Sequence, residues 1–492
     1  MTYNSPKVII TVIDKGEGDN EVIGRREEIA VLEECLNSSR PEFLAIYGRR
    51  RVGKTYLVKE YFNNTFSFYS TGVYGSNTRQ QLRAFKEALV EYGDDEKSIP
   101  KDWFEAFSRL RVILEKGDVT REYKTGKRIV FLDELPWMDT ARSDFKSALD
   151  YFWNSWGSSQ KDLLLIVCGS ATSWIINHLV KDTGGFYNRL TKHMRLMPFD
   201  LSECEQLLQA NGVELSRRQI VECYMIFGGI PYYLNYLKPG LSLAQNVEML
   251  FFKENAPLRY EFRQLFASLF RNADQYIAII RELSSKKTGM TRKDLIKTGK
   301  VIEGKGLTKC LTDLEQCGFI RKYQNFASPK NGAYYQLIDS MSLFYLTIIE
   351  PEKVDSWINF ISTPAYYAWC GISFERVCFM HMDQIKKCLG ISGITSHDYS
   401  WRSSRSTPGV QVDMLIDRND DVINVCEIKF SQDMYEIDAS YEKELIHRMD
   451  AIRKETGTKK ALWLTMITFA GVRKNAYSGS VVSELTGEDL FD

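Results

Sequence analysis

Eight consecutive residues carry the strongest chemical signal in the sequence. Gly48, Arg49, Arg50, Arg51, Val52, Gly53, Lys54 and Thr55 spell GRRRVGKT, which fits the G-x-x-x-x-G-K-[ST] pattern. The two glycines let the backbone curl so that its N–H groups face phosphate oxygens. The helix that follows adds a favourable partial charge at its start. Lys54 is expected to reach the β- and γ-phosphates of a nucleotide, and Thr55 to ligate Mg²⁺. A second signal, RIVFLDE (128–134), sets Asp133 and Glu134 at the end of an apolar run. Asp133 is expected beside the P-loop in the Mg²⁺ shell, and Glu134 to polarise the attacking water. A third run, LLLIVCGS (163–170), ends in Ser170. Its hydroxyl is a candidate sensor of the γ-phosphate, with Thr172 as a substitute; a plain turn serine fits the same residues. The set points to binding and hydrolysis of ATP with Mg²⁺.

A separate constellation lies near the C-terminus. VQVDMLI (410–416) alternates, RNDD signals a turn, and VINVCEIKF (422–430) reads as a second strand, so a hairpin is expected. Glu427 and Lys429 are two apart and share a face. A turn centred between Asn419 and Asp420 brings Asp413 within one position of Glu427. Two carboxylates and a lysine on one face can hold Mg²⁺ and orient a hydrolytic water. Crowded carboxylates repel unless a cation sits among them, and Lys429 offsets only one charge.

These residues need rigid elements behind them. FLAIY (43–47), the loop and TYLVKEYF read as strand, loop and helix. FSFYS (66–70), RIVFL and LLLIVC are further strand-length apolar runs between helical stretches, which argues a parallel sheet covered on both faces. Residues 202–270 are mostly helical, with a break at GGIP (228–231). ADQYIAIIRELSS, TRKDLIKTG and LTKCLTDLEQCGFIRKY have the layout of a winged helix-turn-helix, with a wing near SPKNG (328–332). Lys286, Lys287, Arg292, Lys293, Lys297, Lys300, Lys305 and Lys309 make that stretch basic, which suits DNA contact; exposed helix charges that serve only solvation give the same pattern.

At 492 residues the chain is too long for one ordinary core. Its 44% hydrophobic and 26% charged content is that of a globular protein and not a disordered one. Lys+Arg and Asp+Glu both number 64, so no global charge draws it to nucleic acid. None of the ten cysteines forms a CxxC pair or a zinc-spaced cluster. They read as thiols of a reducing, cytoplasmic compartment. No signal-peptide layout and no membrane-spanning apolar run is present in the sequence.

IGRREEI (23–29), the P-loop, the LDE strand end, CGS, NRLTKHMRLMPF (188–199) and GGIPYYL (228–234) occur in that order. Together they resemble the archaeal-type ATPases of the AAA+/STAND assemblage over about residues 20–240. The resemblance implies that Gly24, Arg25 and Glu28 pack near the adenine, and that Gly229 and Pro231 approach the nucleotide. It also implies that Arg189 contacts the γ-phosphate of its own or a neighbouring subunit; a surface salt bridge would use the same arginine. The D…ExK pattern resembles the PD-(D/E)XK nuclease fold, with Val412 where the proline usually stands. That resemblance makes Glu375, in GISFE (371–375), the helix-borne acid beside Asp413 and Glu427, and Lys429 the catalytic lysine. It makes SYEKELIHRMDAI (440–452) the following helix and KALWLTMI (460–467) a later strand. The whole stretch resembles the domain of unknown function fused C-terminally to archaeal-type ATPases.

The expected architecture is multidomain α/β. A P-loop NTPase core of AAA+ type (1–200) leads to a helical lid (201–272), a winged helix-turn-helix (273–345) and a restriction-endonuclease-like α/β domain (346–492). The expected function is ATP hydrolysis coupled to binding or metal-dependent cleavage of DNA or RNA, with a homo-oligomer or a protein partner. The alternative is a nucleotide-gated signalling switch whose C-terminal domain is a catalytically inactive binding module.

Overall fold

The computed structural model describes residues 22–122, 124–181, 189–324, 326, 332–403 and 409–492. Two expected features lie outside them: the wing tip at 328–331, and Asn188 of the stretch before Arg189. The chain divides into two compact units, with the break between Met197 and Pro198.

Among the described residues of the first unit, five strands form one sheet. They are β1 (Glu42–Tyr47), β2 (Phe68–Thr71), β3 (Arg128–Asp133), β4 (Leu163–Gly169) and β5 (Lys192–Arg195), in the order β2-β3-β4-β1-β5. Every pairing is parallel. Every residue of β1, β3 and β4 is buried, which is why those strands read as unbroken apolar runs. On one face the helices Thr78–Glu91, Trp103–Leu114 and Phe145–Ser155 supply an aromatic core. Trp103 is fully buried, and its ring meets that of Phe145 edge-on at 4.7 Å. The helix starts are specified locally: Asn77 and Gln80 form a capping box, and Asp102 accepts from the Glu105 N–H.

The second unit opens with helices Leu201–Ala210 and Arg217–Phe227, each begun by a capping box. A small antiparallel sheet follows, β6 (Met290–Thr291), β7 (Ile320–Gln324) and β8 (Ala333–Leu337), in the order β6-β8-β7. Helices Ala273–Ser284, Arg292–Lys297 and Lys305–Gln316 surround it. The long helix Pro364–Met380 then leads into a five-stranded mixed sheet. Its strands are β9 (Ser396–Arg402), β10 (Gln411–Arg418), β11 (Val422–Lys429), β12 (Ala461–Thr468) and β13 (Ser483–Leu485), ordered β13-β12-β11-β10-β9. β9, β10 and β11 are antiparallel neighbours; β11, β12 and β13 are parallel. Helix Ala439–Thr456 connects β11 to β12, the crossover that a parallel pair requires.

Two expected boundaries shift. The first unit ends at Met197 and not at residue 200. The boundary expected at 345/346 falls inside a continuous helical stretch, Ser340–Phe344 running on into Tyr345–Ile349. Residues 198–492 form one compact unit.

Candidate functional site

The first candidate site grows out of the carboxyl edge of the parallel sheet. β1 ends at Tyr47, and the chain turns at once through Gly48, whose φ is 149°. A Cβ there would run into the Leu196 carbonyl oxygen, so the close approach of two backbones fixes the glycine. Gly53 is needed for a different reason. It has open space around it but a φ of 96°, where it caps helix Lys54–Tyr61. Between them Arg51 also holds a left-handed φ of 76°. The Lys54 ammonium is buried and donates to the carbonyl oxygens of Gly48 (3.1 Å) and Arg49 (3.0 Å). Arg50 stacks over Trp137 at 5.7 Å. Val52 is buried, and its carbonyl accepts from Arg25 Nη2 at 3.0 Å. Arg25 also meets Glu28 at 3.3 Å, and Gly24 and Arg25 both have left-handed backbones. The segment around Gly24, Arg25 and Glu28 is therefore tied to the loop.

β3 does not lie beside β1; β4 is inserted between them. Thr55 nevertheless spans the gap. Its hydroxyl donates to Asp133 Oδ2 at 2.9 Å and reaches Oδ1 at 3.1 Å. Asp133 Oδ1 also accepts from the Cys168 thiol (2.6 Å) and the Glu134 N–H (2.9 Å). Burial pushes the Asp133 carboxyl upward, while the Cys168 and Thr55 hydrogen bonds pull it back. Burial, with the charges of Asp133 and Glu134, raises the Cys168 thiol well above its usual range. Cys168 was not foreseen. It stands two before Ser170, so both point to one face near the end of β4, and that spacing was readable.

Glu134 follows β3 in a left-handed conformation, φ 47° and ψ 45°. The Ser170 N–H donates to Glu134 Oε2 at 3.1 Å, and the Ser170 hydroxyl donates to Oε1. The inserted β4 thus delivers the hydroxyl that holds the acid. Thr172 is fully buried, its hydroxyl 3.5 Å from the Ser170 carbonyl, so it is no substitute for Ser170. Arg189 stands apart. β5 runs parallel to β1, and the Thr191 N–H donates to the Phe43 carbonyl at 3.0 Å. Arg189 thus lies, exposed, by the amino edge of the sheet. The P-loop leaves the other edge, five residues or about 16 Å along β1. That placement does not suit a contact with the nucleotide of its own subunit. Arg195 is the arginine that β5 sets beside Tyr47, at the P-loop edge.

Residues 23–237 match a family described as an ATPase domain predominantly from Archaea. Over that stretch the chain is similar to archaeal-type ATPase domains. An uncharacterized protein of Methanocaldococcus jannaschii is 25% identical to it over 374 residues, 74% of this chain and 78% of that one. An uncharacterized ATP-binding protein of the same organism is 43% identical over 42 residues, 8% of this chain and 71% of that one. Among solved structures, a Walker-type ATPase of Pyrococcus abyssi is similar with a TM-score of 0.50 at 20% identity, over 69% of this chain and all of that one. That likeness is one of fold. The Aeropyrum pernix ORC2 protein, solved in ADPNP–ADP complexes, gives a TM-score of 0.42 at 13% identity, over 69% of this chain and 96% of that one.

The ATPase match extends past Met197 to the GGIP turn. Gly229 has a φ of 66°, and a Cβ there would strike the Phe199 carbonyl and the Tyr224 ring. The Phe199 N–H donates to the Gly229 carbonyl at 2.8 Å. Pro231 opens the short helix Pro231–Leu234. Among the described residues, no helix of the chain is long and apolar enough to cross a membrane.

C-terminal to the ATPase domain, the structure brings Asp413, Glu427 and Glu375 to one place. The hairpin pairs Met414 with Cys426, and the next positions bring Asp413 beside the Glu427–Ile428 peptide. Asp413 Oδ2 accepts the Ile428 N–H at 3.0 Å. The Lys287 ammonium bridges Asp413 Oδ1 (2.8 Å) and Glu375 Oε1. Glu427 is fully buried; Lys429 lies 3.5 Å from its Oε2, Arg448 pairs with the same oxygen, and Tyr441 donates to it at 3.2 Å. Burial and the Asp413 charge push Glu375 up to about 7, against the pull of Lys287, and raise Glu427 as well.

The expectation that Lys429 alone opposes the acids is corrected. Lys287, Arg448 and, at 4.0 Å from Glu375, Arg376 join it. The electrostatic case for a metal ion among Glu375, Asp413 and Glu427 loses its force. Among the described residues, no group of three or more His, Cys, Asp or Glu side chains stands in metal-holding geometry. Lys287, expected on a DNA-facing surface, points instead into this cluster.

Proposed function

We propose that the chain hydrolyses ATP at the P-loop and uses the cycle to control a nuclease-like C-terminal domain that acts on nucleic acid. The observation that carries the hydrolytic half is the pair of contacts Thr55–Asp133 and Ser170–Glu134. The first supplies two oxygen donors of the kind Mg²⁺ takes beside a nucleotide. When bound, Mg²⁺ would offset charge on the β- and γ-phosphates. Lys54 leaves its two loop carbonyls for the phosphates. Glu134, its carboxylate oriented by Ser170, accepts a proton from the attacking water. Gly24, Arg25 and Glu28, tied to the loop through Arg25, wall the base side. Lys54→Ala is expected to abolish turnover, a loss of roughly 2–4 kcal/mol of transition-state stabilisation by analogy with one oxyanion donor. Unchanged turnover in that variant would refute the assignment.

The C-terminal half supports the PD-(D/E)XK reading through its element order: helix Pro364–Met380, three antiparallel strands, helix Ala439–Thr456, then parallel β12. In that reading Glu375, Asp413 and Glu427 are the fold's acids and Lys429 its lysine. Glu427 Oε1 is buried without a hydrogen-bond partner among the described residues, an acceptor that suits a cation. The helices and antiparallel sheet of residues 273–337 support a winged helix. The test is Mg²⁺- or Mn²⁺-dependent cleavage of plasmid, single-stranded DNA and RNA by the full chain, with and without ATP, against Glu427→Ala. The second reading, a nucleotide-gated switch with an inactive nuclease fold, is favoured by the four cations around the acids. It predicts nucleic-acid binding that ATP modulates, and no cleavage under any of these conditions.

A further inference from the structure

We infer that Lys287 is an internal cation that closes the C-terminal acidic site, and that a divalent ion enters between Glu375 and Asp413 only when this ammonium withdraws. The inference rests on the reading of Glu375, Asp413 and Glu427 as cation ligands. Lys287 belongs to neither the hairpin nor the helix that carries the acids. It sits in the turn after helix Ala273–Ser284, just before β6, so the neighbouring helical element supplies it.

Its backbone is fixed from two sides. The Lys287 carbonyl accepts from Gln336 Nε2 of β8 at 2.5 Å and from Arg376 Nη2 of the acid-bearing helix at 2.7 Å. The turn is closed by the Gly289 N–H donating to the Lys286 carbonyl at 3.0 Å. Gly289 has a φ of 78°, and a Cβ there would collide with the Tyr335 carbonyl. The two acids are 3% and 6% exposed, whereas the Lys287 side chain is 34% exposed. The ammonium therefore closes the site from its open side, and its flexible stem can swing to water without unfolding anything.

Two buried carboxylates need a cation between them. A monovalent ammonium and a divalent ion compete for that place. Oxygen ligands at just over 2 Å favour the ion once the ammonium leaves.

The test measures Mn²⁺ binding to the nucleotide-free full chain, counting only the binding that Asp413→Asn removes. Lys287→Met is expected to bind at that site at least tenfold more tightly than the wild type. Lys287→Arg, which keeps a cation in place, is expected to stay close to the wild type. A second arm needs no variant. Millimolar Mn²⁺ should raise acetylation of Lys287 by an amine-reactive reagent several-fold while leaving the exposed Lys286 unchanged. This arm decides alone if Lys287→Met fails to fold. Equal affinity in wild type and Lys287→Met, with Lys287 labelling unmoved, would overturn the closure and leave the cation reading standing. If neither chain shows an Asp413-dependent Mn²⁺ site, the cation reading itself falls and the closure falls with it.

Discussion

At the scale of single residues, the acids of the ATPase site are set by their neighbours on β4. Glu134→Gln keeps the shape of the side chain and loses the proton acceptor. It should bind ATP and hydrolyse it about 10²–10⁴-fold more slowly, as measured by single-turnover kinetics. Ser170→Ala removes the hydroxyl that holds Glu134. Turnover should fall about 10–100-fold through misplacement of the base, with affinities for ATP and ADP unchanged. A selective loss of ATP affinity at normal turnover would instead make Ser170 a phosphate sensor. The P-loop, Asp133 and Glu134 were legible because each ends a fully buried strand, where a polar residue stands out. Ser170 was legible as a position, whereas its contact with Glu134 was not, because strand order decides what it faces. Lys287 was misread because a basic stretch in sequence does not say which lysine turns inward.

At the scale of elements, one histidine joins two helices of the second unit. The Leu201 N–H, at the start of helix Leu201–Ala210, donates to His381 Nε2 at 3.0 Å. His381 Nδ1 lies 2.8 Å from the Val377 carbonyl in helix Pro364–Met380. The first contact needs an unprotonated Nε2, so the neutral ring with its proton on Nδ1 is the form that fits. Burial holds His381 below the ordinary imidazole value of 6.5. As pH falls below 6.5, the unfolded chain takes up a proton that the folded chain refuses. Stability present above that pH is lost as pH falls toward the depressed folded value, by about 1.4 kcal/mol per pH unit. His381→Gln should flatten this dependence, read as the difference in urea midpoint between pH 7.5 and 5.5 for variant and wild type. No sequence pattern marked His381, since a lone histidine after a helix has no periodicity to betray its partners. By contrast, the β10–β11 hairpin was readable to within half a residue: its pairing centres on Asp420. Alternation and a turn signal together fix register. The boundary expected at 345/346 was less readable, since it falls inside the apolar helical stretch Ser340–Ile349, where a short apolar run does not tell helix from strand.

At the scale of the whole molecule, the second unit should behave as one folding body. Arg321 of β7 pairs with Asp398 of β9 at 2.8 Å and donates to Ser400 at 2.8 Å. Helix Ser340–Ile349 bridges the expected boundary, and Lys287 caps acids more than eighty residues away in sequence. A fragment beginning at residue 198 should melt cooperatively by circular dichroism. One beginning at residue 346 should not, because it strands the buried Glu375 and Asp413 without Lys287 and removes the helical stretch Ser340–Phe344 that runs into it. The position of Arg189 bears on assembly. Under dilution to the monomer, Arg189→Ala should leave ATP turnover within about twofold of wild type. If that residue acts at all, its effect should emerge only at concentrations where sedimentation shows oligomers. Self-association could not have been read from composition, since zero formal charge removes long-range repulsion between copies without saying which surfaces would meet.

The left-handed backbone at Glu134 has a consequence for descent. A non-glycine residue there costs about 1–2 kcal/mol, and glycine would relieve it. A lineage kept only for folding or for docking would drift toward glycine, because nothing but hydrolysis pays to retain the carboxylate. Descendants that have abandoned hydrolysis should therefore be recognisable by their letters alone, as an aspartate followed by glycine where this chain has Asp133 and Glu134.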